Sequence, residues 1–204
     1  MKIWQCIGIA TLSLGMVVVA HAGDPQRGQE LAATCAACHG ADGNSVNPEW
    51  PKLAGQHASY TAVQLHHYQS GARENVLMTA QAVGLSEQDI LDLSAYYATL
   101  TANAGEADPD LVELGEEIYQ RGLAAQGVPS CASCHGPAGQ GVGSAVFPML
   151  HGQHAVYTAI QLRAYRSGER ATDPNRMMRG VAELLSDEEI EAVASYIEGL
   201  EPAR

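Results

Sequence analysis

Two short motifs bring together the residue types most able to do chemistry, each in the order Cys-x-x-Cys-His. Their members are Cys35, Cys38 and His39 in one half of the chain and Cys131, Cys134 and His135 in the other. This spacing is the attachment signature of c-type haem. Two thiols on one turn reach the two vinyl groups of a porphyrin, and the adjacent histidine supplies the proximal nitrogen to the iron. The motifs therefore predict two covalently bound haem c groups, with both histidines as iron ligands.

Three other chemistries use paired cysteines. Zinc binds two Cys-x-x-Cys pairs, but a zinc site gives no reason for a histidine directly after each pair. A thioredoxin-like redox pair belongs near a βαβ unit, and this chain has no convincing strand pattern. Disulfides are common in exported proteins and are the strongest alternative. Two occurrences in a duplicated chain, each followed by histidine, favour haem.

The motifs belong to an internal duplication. The segment 53–65 returns as 150–162, and both copies contain Leu-x-Gly-Gln-His-Ala-x-Tyr. The pair Leu85-Ser86 returns as Leu185-Ser186, followed in each case by acidic residues. A repeat of this kind indicates two copies of one structural unit.

Helix signals place each unit in the all-α class. Each half opens with Asp-Pro, at Asp24 and Asp108, where Asp can cap a helix and Pro fits its first position. Each half closes with a helix that begins at Ser86 or Ser186 and has an acid three residues on, as in a capping box. Apolar residues recur at helical spacing in these last helices. The predicted divisions are a signal peptide over 1–22, domains over 23–101 and 109–204, and a linker over 102–108.

The N-terminus predicts export. Lys2 precedes a largely apolar stretch from 3 to 19, and small residues at Ala20 and Ala22 end it. Signal peptidase recognises such small residues, so we expect cleavage after Ala22 and a periplasmic protein. An uncleaved anchor is the alternative, but the stretch is barely long enough to span a bilayer and polar residues dilute it. We expect at most peripheral membrane association.

The charge balance limits the partners. The formal net charge is −12, from 23 Asp and Glu against 11 Lys and Arg. Nucleic acid is excluded as a partner, because phosphate binding needs clustered cations. A redox protein with a basic docking face would be steered favourably. The plainer interpretation is that the acidity only maintains solubility.

The paired motifs and the twice-repeated Leu-x-Gly-Gln-His-Ala-x-Tyr block resemble cytochrome c4, a family of di-haem periplasmic cytochromes. The resemblance covers residues 23–204. It implies two tandem class I cytochrome c domains, each wrapped around one haem. It also implies low-spin irons with His and Met ligands, and electron delivery to a terminal oxidase.

The distal ligand decides between carrier and enzyme, because Met opposite His raises the potential and closes the iron to small molecules. Met78 and Met178 each lie eight residues before a repeated serine, which agrees with where the family places its distal Met. We predict that these two bind the irons. Met177 is a competing neighbour. His57 and His154 are repeated and offer bis-His ligation, but their position at a helix start suits a surface or capping role better.

Several further residues have structural interpretations. Pro51 and Pro148 match the class I proline whose carbonyl accepts the proximal imidazole N–H, although either could be a turn proline. Gly28 and Gly115 lie in the first helix of each half, where close packing against the last helix would explain a glycine.

The leading functional prediction is an electron carrier, not an enzyme, which takes electrons from a quinol-oxidising complex or another donor and passes them to a membrane-bound terminal oxidase. The alternative is a di-haem electron-accepting subunit of a dehydrogenase, such as a sulfide-oxidising flavocytochrome. A di-haem peroxidase or a thiosulfate-oxidising cytochrome is a third possibility, but those chains are longer.

Overall fold

The computed structural model describes residues 22–202, so the predicted signal peptide lies almost wholly outside the described residues. The first half contains five helices, with bounds α1 Pro25–Leu31, α2 Ala36–His39, α3 Ala58–Ser70, α4 Val76–Ala82 and α5 Glu87–Ala98. The second half repeats this order, with bounds α6 Val112–Glu116, α7 Ala132–His135, α8 Ala155–Ser167, α9 Met177–Ala182 and α10 Asp187–Gly199. The all-α prediction is confirmed.

The second half carries extra short elements. A π-helical turn, Glu117–Arg121, continues α6, and 3₁₀ turns lie at 124–126, 143–145 and 174–176. In residues 22–202 the extended pairings are two isolated antiparallel bridges, Leu123 with Val128 and Val142 with Phe147. The first bridge closes the stretch that distinguishes the second half from the first.

Side-chain caps define where the helices begin. Asp24 accepts the amide hydrogens of Gln26 and Arg27 at the start of α1. Both final helices have the complete capping box, Ser86 with Asp89 and Ser186 with Glu189, so aspartate also completes the box. The prediction at Asp108 was wrong in register. Its carboxylate accepts the Asp110 amide in a turn, and α6 begins only at Val112.

The first and last helices of each half cross closely at a glycine, as predicted. A Cβ added at Gly28 would lie 2.7 Å from the Tyr96 Cβ, and one at Gly115 would lie 2.7 Å from the Tyr196 Cβ. The last helices also supply the core, with Ile90 and Ile190 completely buried. These helix crossings fix the positions of the Cys-x-x-Cys-His turns in each half.

The two halves join through a pseudo-symmetric interface. The Gln56 side chain accepts the Met149 amide at 2.9 Å and donates to the Met149 carbonyl at 3.0 Å. Gln153 makes the matching pair of bonds with the backbone of Lys52, both at 2.9 Å. Met149 and Lys52 occupy equivalent positions of the repeat, so each half binds the other's backbone in the same way.

The connection between the halves, 101–108, contains no helix, and its Gly105 amide donates to the Glu198 carbonyl at 2.8 Å. The linker and domain boundaries stay predictions. None of the helices described between residues 22 and 202 combines the length and apolarity needed to cross a bilayer.

Candidate haem sites

Each motif forms one short helical turn. Cys35 lies at the N-cap of α2, and its carbonyl accepts the His39 amide at 2.9 Å. The same bond, also 2.9 Å, joins Cys131 to His135 around α7. A spacing of three residues puts both thiols of a motif on one face of the turn. This arrangement presents two sulfur atoms and one imidazole to a single planar ligand.

The four motif cysteines are not joined to one another by disulfides. Burial raises the pKa of Cys35, and it raises the pKa of Cys131 to about 12. Within residues 22–202 no cluster of three or more His, Cys, Asp or Glu side chains is arranged to hold a metal ion.

Both motif histidines are oriented by a proline carbonyl. The His39 Nδ1–H donates to the Pro51 carbonyl at 2.8 Å, and the His135 Nδ1–H donates to the Pro148 carbonyl at 2.9 Å. The predicted role of these prolines is confirmed. Burial lowers the pKa of both imidazoles, so each ring is neutral and its Nε2 lone pair can bind iron.

Met78 and Met178 occupy matching places on short helices. Met78 lies in α4, where its amide donates to the Asn75 side chain at 3.0 Å. It precedes the completely buried Ala82 by four residues, and Met178 in α9 precedes the completely buried Ala182 by four. The neighbouring Met177 is 40 % exposed, whereas Met178 is half-buried. The helical register therefore agrees with the predicted pair, and the ligation itself stays a prediction.

The two repeated histidines have another role than the one predicted. His57 and His154 do lie at the N-caps of α3 and α8, but neither makes a side-chain cap. The His57 Nε2–H donates to the Gln140 carbonyl at 2.8 Å, and the His154 Nε2–H donates to the Ser45 carbonyl at 2.9 Å. Both bonds cross between the halves, and His154 is buried. These imidazoles therefore stabilise the interface.

The surroundings of the two motifs differ. Cys38 lines a cleft of about 320 Å³ together with Val46 and Trp50. In the second half Phe147 replaces Trp50, and its ring centroid lies 6.2 Å from that of His135. Apolar walls of this kind suit a porphyrin face, and unequal walls favour unequal reduction potentials.

Sequence reasoning missed one set of residues. Arg73 and Arg170 are buried at the interface although they carry a charge. The signal was present, because each is the second residue after Tyr-x-Ser-Gly in the repeat. Each has hydrogen-bond acceptors in both halves: Arg73 donates to Gln64 of its own half and to Gln161 of the opposite half, and no local pattern indicates the second partner.

Two all-α halves, each with a haem-attachment turn and a carbonyl-oriented histidine, define a di-haem c-type cytochrome. The family model described as Cytochrome c matches the chain twice, over residues 25–101 and 112–201. Cytochrome c4 of Pseudomonas aeruginosa is 47 % identical over 191 residues, which cover 93 % of this chain and 95 % of that protein. The crystal structure of reduced recombinant cytochrome c4 from Pseudomonas stutzeri superposes with a TM-score of 0.86 and 44 % identity, covering 88 % of this chain and 100 % of that one.

A second group of relatives is named for a different electron donor. The thiosulfate dehydrogenase electron acceptor of Stutzerimonas stutzeri is 40 % identical over 207 residues, covering 95 % of this chain and 93 % of that protein.

The chain belongs to the cytochrome c4 family. It is an electron carrier, not an enzyme, and it binds two haem c groups covalently.

Proposed function

We propose that this chain carries electrons in the periplasm from a quinol-oxidising complex or another donor to a terminal oxidase, with both irons closed by protein ligands. The observation that carries the proposal is the paired geometry in each half. An imidazole fixed by a proline carbonyl lies in one element, and a methionine lies at a matching register in a short helix.

In the first half, Cys35 and Cys38 attach the haem, and His39 and Met78 bind its iron. In the second half, Cys131 and Cys134 attach the haem, and His135 and Met178 bind its iron. A haem held this way supplies reversible one-electron chemistry at iron. The chain's own residues set the potential, because the Pro51 and Pro148 carbonyls fix the imidazole orientation and make it a stronger donor. Met and His together raise the potential and leave no open position for a substrate.

Ligation is tested by optical spectroscopy of the purified protein. The oxidised form should have the long-wavelength Met–Fe(III) band at an intensity for two haems, and carbon monoxide should not change the reduced spectrum. Met78→Ala and Met178→Ala should each remove half of the band and admit carbon monoxide at one haem. Met177→Ala is the matched control and should change neither. A full band in Met178→Ala would refute that ligand assignment.

Periplasmic location rests on the export signal at the N-terminus, which lies outside the described residues. Fractionation of cells that express the full chain tests it. The haem-loaded protein should appear in the periplasmic fraction with Gly23 as its first residue. Retention in the membrane after a high-salt wash would instead indicate an uncleaved anchor.

An electron-accepting role beside a dehydrogenase is the second candidate. It is supported by the 40 % identity to a thiosulfate dehydrogenase electron acceptor over most of both chains. The two roles differ in which redox partner exchanges electrons rapidly with this chain. Oxidation of the reduced protein by oxidase-containing membranes favours the first role, and reduction by a dehydrogenase with its substrate favours the second. In either case the net charge of −12 predicts a rate that falls as salt rises, because the partner's docking face would be basic.

A further inference from the structure

One tyrosine hydroxyl in the core of the first half has no well-formed hydrogen bond. Tyr97 lies in α5, and its side chain is only 3 % exposed. Among residues 22–202 no group makes a hydrogen bond of good geometry with its oxygen. A buried hydroxyl without a partner is destabilising, so the great majority of such groups in native proteins have one. The partner of this hydroxyl is therefore expected to form only when the haem is attached.

The side chain beside this hydroxyl is that of Cys35, which packs against the core cluster that contains Tyr97. Burial, followed by the effect of the Cys35 thiol, raises the pKa of Tyr97, so the phenol keeps its proton and remains a donor. Burial also raises the pKa of Cys35, and Tyr97 partly offsets this by donating towards the sulfur. The hydroxyl and the sulfur are therefore neighbours whose contact falls short of a well-formed hydrogen bond.

Covalent attachment changes what the Cys35 sulfur can do. A thiol carries its own hydrogen, which passes to a vinyl carbon when the sulfur–carbon bond of the thioether forms. A thioether sulfur has no hydrogen to donate and is a weak acceptor. Since Tyr97 is a donor that lacks an acceptor, the two groups become complementary in the haem-loaded protein.

The second half lacks the equivalent pair. Ile197 occupies the position that corresponds to Tyr97, and it belongs to the core cluster against which Cys131 packs. Tyr119 also lies near Cys131, but its hydroxyl already donates to the Gly136 carbonyl at 2.9 Å. The two attachment sites therefore differ in one specific respect, which is an uncommitted hydroxyl beside the first cysteine of the first motif.

We propose that the Tyr97 hydroxyl donates a hydrogen bond to the Cys35 sulfur once that sulfur holds the haem, and that this bond raises the reduction potential of the first haem relative to the second. The inference rests on the proposed haem attachment at Cys35. A donor directed at the edge of the cofactor places the positive end of its dipole towards the iron, which stabilises the additional electron of Fe(II). Hydrogen bonds and dipoles around an iron cofactor are among the means by which a protein sets its potential. Tyr97 is in this sense a positioning residue that acts through Cys35.

The experiment measures the potential of each haem in a redox titration followed by NMR, because the haem methyl resonances report the two haems separately. Tyr97→Phe removes only the hydroxyl and should lower the potential of the first haem without changing that of the second. The equilibrium constant for electron transfer from the second haem to the first should fall by up to about tenfold, the upper range for one neutral hydrogen bond.

Tyr96→Phe is the matched control. It removes the hydroxyl of the adjacent residue, which donates to the Ala41 carbonyl at 3.4 Å, and it should leave both potentials unchanged. Haem content is measured on every sample by the pyridine haemochrome assay. Fewer than two haems in the parent protein would refute the attachment on which the inference rests. With two haems attached, potentials in Tyr97→Phe equal to those in Tyr96→Phe would overturn the role of Tyr97 and leave the haem sites intact.

A measurement on the unsubstituted protein keeps the test independent of folding. In the reduced, diamagnetic state, the Tyr97 hydroxyl proton should give a resolved resonance that exchanges slowly with water. It should also show a nuclear Overhauser effect to the Cys35 Hβ protons. A hydroxyl proton that exchanges rapidly, or one without this effect in a fully assigned spectrum, would also overturn the proposal.

Discussion

Substitution of Gly28 by alanine tests the helix crossing on which the first haem site depends. A Cβ at this position would lie 2.6 Å from the backbone carbonyl carbon of Asp92 and 2.7 Å from the Tyr96 Cβ. Carbon atoms pack at about 3.5–4.0 Å, so α1 and α5 would have to separate by about 1 Å. The obstacle is helix backbone, which cannot rotate away as a flexible side chain can.

The magnitude follows from two opposing effects. Overpacking of a well-packed core costs about 1–3 kcal/mol, and a backbone clash belongs at the upper end of that range. Alanine in a helix gains about 1 kcal/mol over glycine. The net expectation is that Gly28→Ala lowers the free energy of unfolding by about 2 kcal/mol, from the difference between these terms.

Gly180→Ala is a matched control, because Gly180 lies within α9 and an added Cβ would meet no atom within 4 Å. Only the higher helix preference of alanine acts there, so this variant should raise the free energy of unfolding by about 0.5–1 kcal/mol. The two glycine-to-alanine changes are therefore expected to differ in sign.

Guanidinium unfolding of the haem-loaded protein gives the measurement, followed by Soret absorbance and by tryptophan fluorescence. The sequence contains two tryptophans, Trp4 and Trp50, so after signal cleavage the fluorescence reports on the first half alone. Gly28→Ala should lower the midpoint of the Trp50 transition with two haems still attached. A Trp50 midpoint equal to or above that of the parent protein would refute the close-crossing argument, and the Soret transition gives the effect of Gly180→Ala on the second half.

Three further predictions concern caps, interface and pH. Ser86→Ala removes the hydroxyl that caps α5 and should cost about 1 kcal/mol in chemical denaturation, while Ser86→Asp should retain most of the stability. Gln153→Ala strips the Lys52 backbone of both its side-chain bonds and should cost about 1–3 kcal/mol, with a smaller loss in Gln153→Glu because one acceptor remains. Hydrogen bonds from Ser86, then the Arg27 pair, lower the pKa of Asp89 to about 2 from a usual 3.8, so its stabilising effect is present above about pH 4 and is lost as pH falls towards 2. Acid titration of unfolding should therefore be flatter between these values in Asp89→Asn, and an unchanged profile would contradict this assignment.

Much of the structure of each half could be predicted from the sequence, because it depends on residues that are close together in the chain. The Cys-x-x-Cys-His spacing specifies one helical turn with two thiols and an imidazole, because the three groups are neighbours in sequence. The capping boxes at Ser86 and Ser186 and the buried stripes that begin at Ile90 and Ile190 are also local patterns, and the structure confirms them. The glycine crossings could be predicted because the repeat places a glycine in the first helix of both halves.

Contacts between the halves required the tertiary structure. Gln56, His57 and Arg73 occupy repeated positions, but the sequence does not indicate that their partners are Met149, Gln140 and Gln161. A repeat shows that two units are alike, and it does not show which faces of those units meet. Docking depends on the shape and polarity of whole surfaces, which exist only after each unit has folded. The sequence by itself determined two haem-binding units, and the tertiary structure decided that two buried arginines would face each other where those units join.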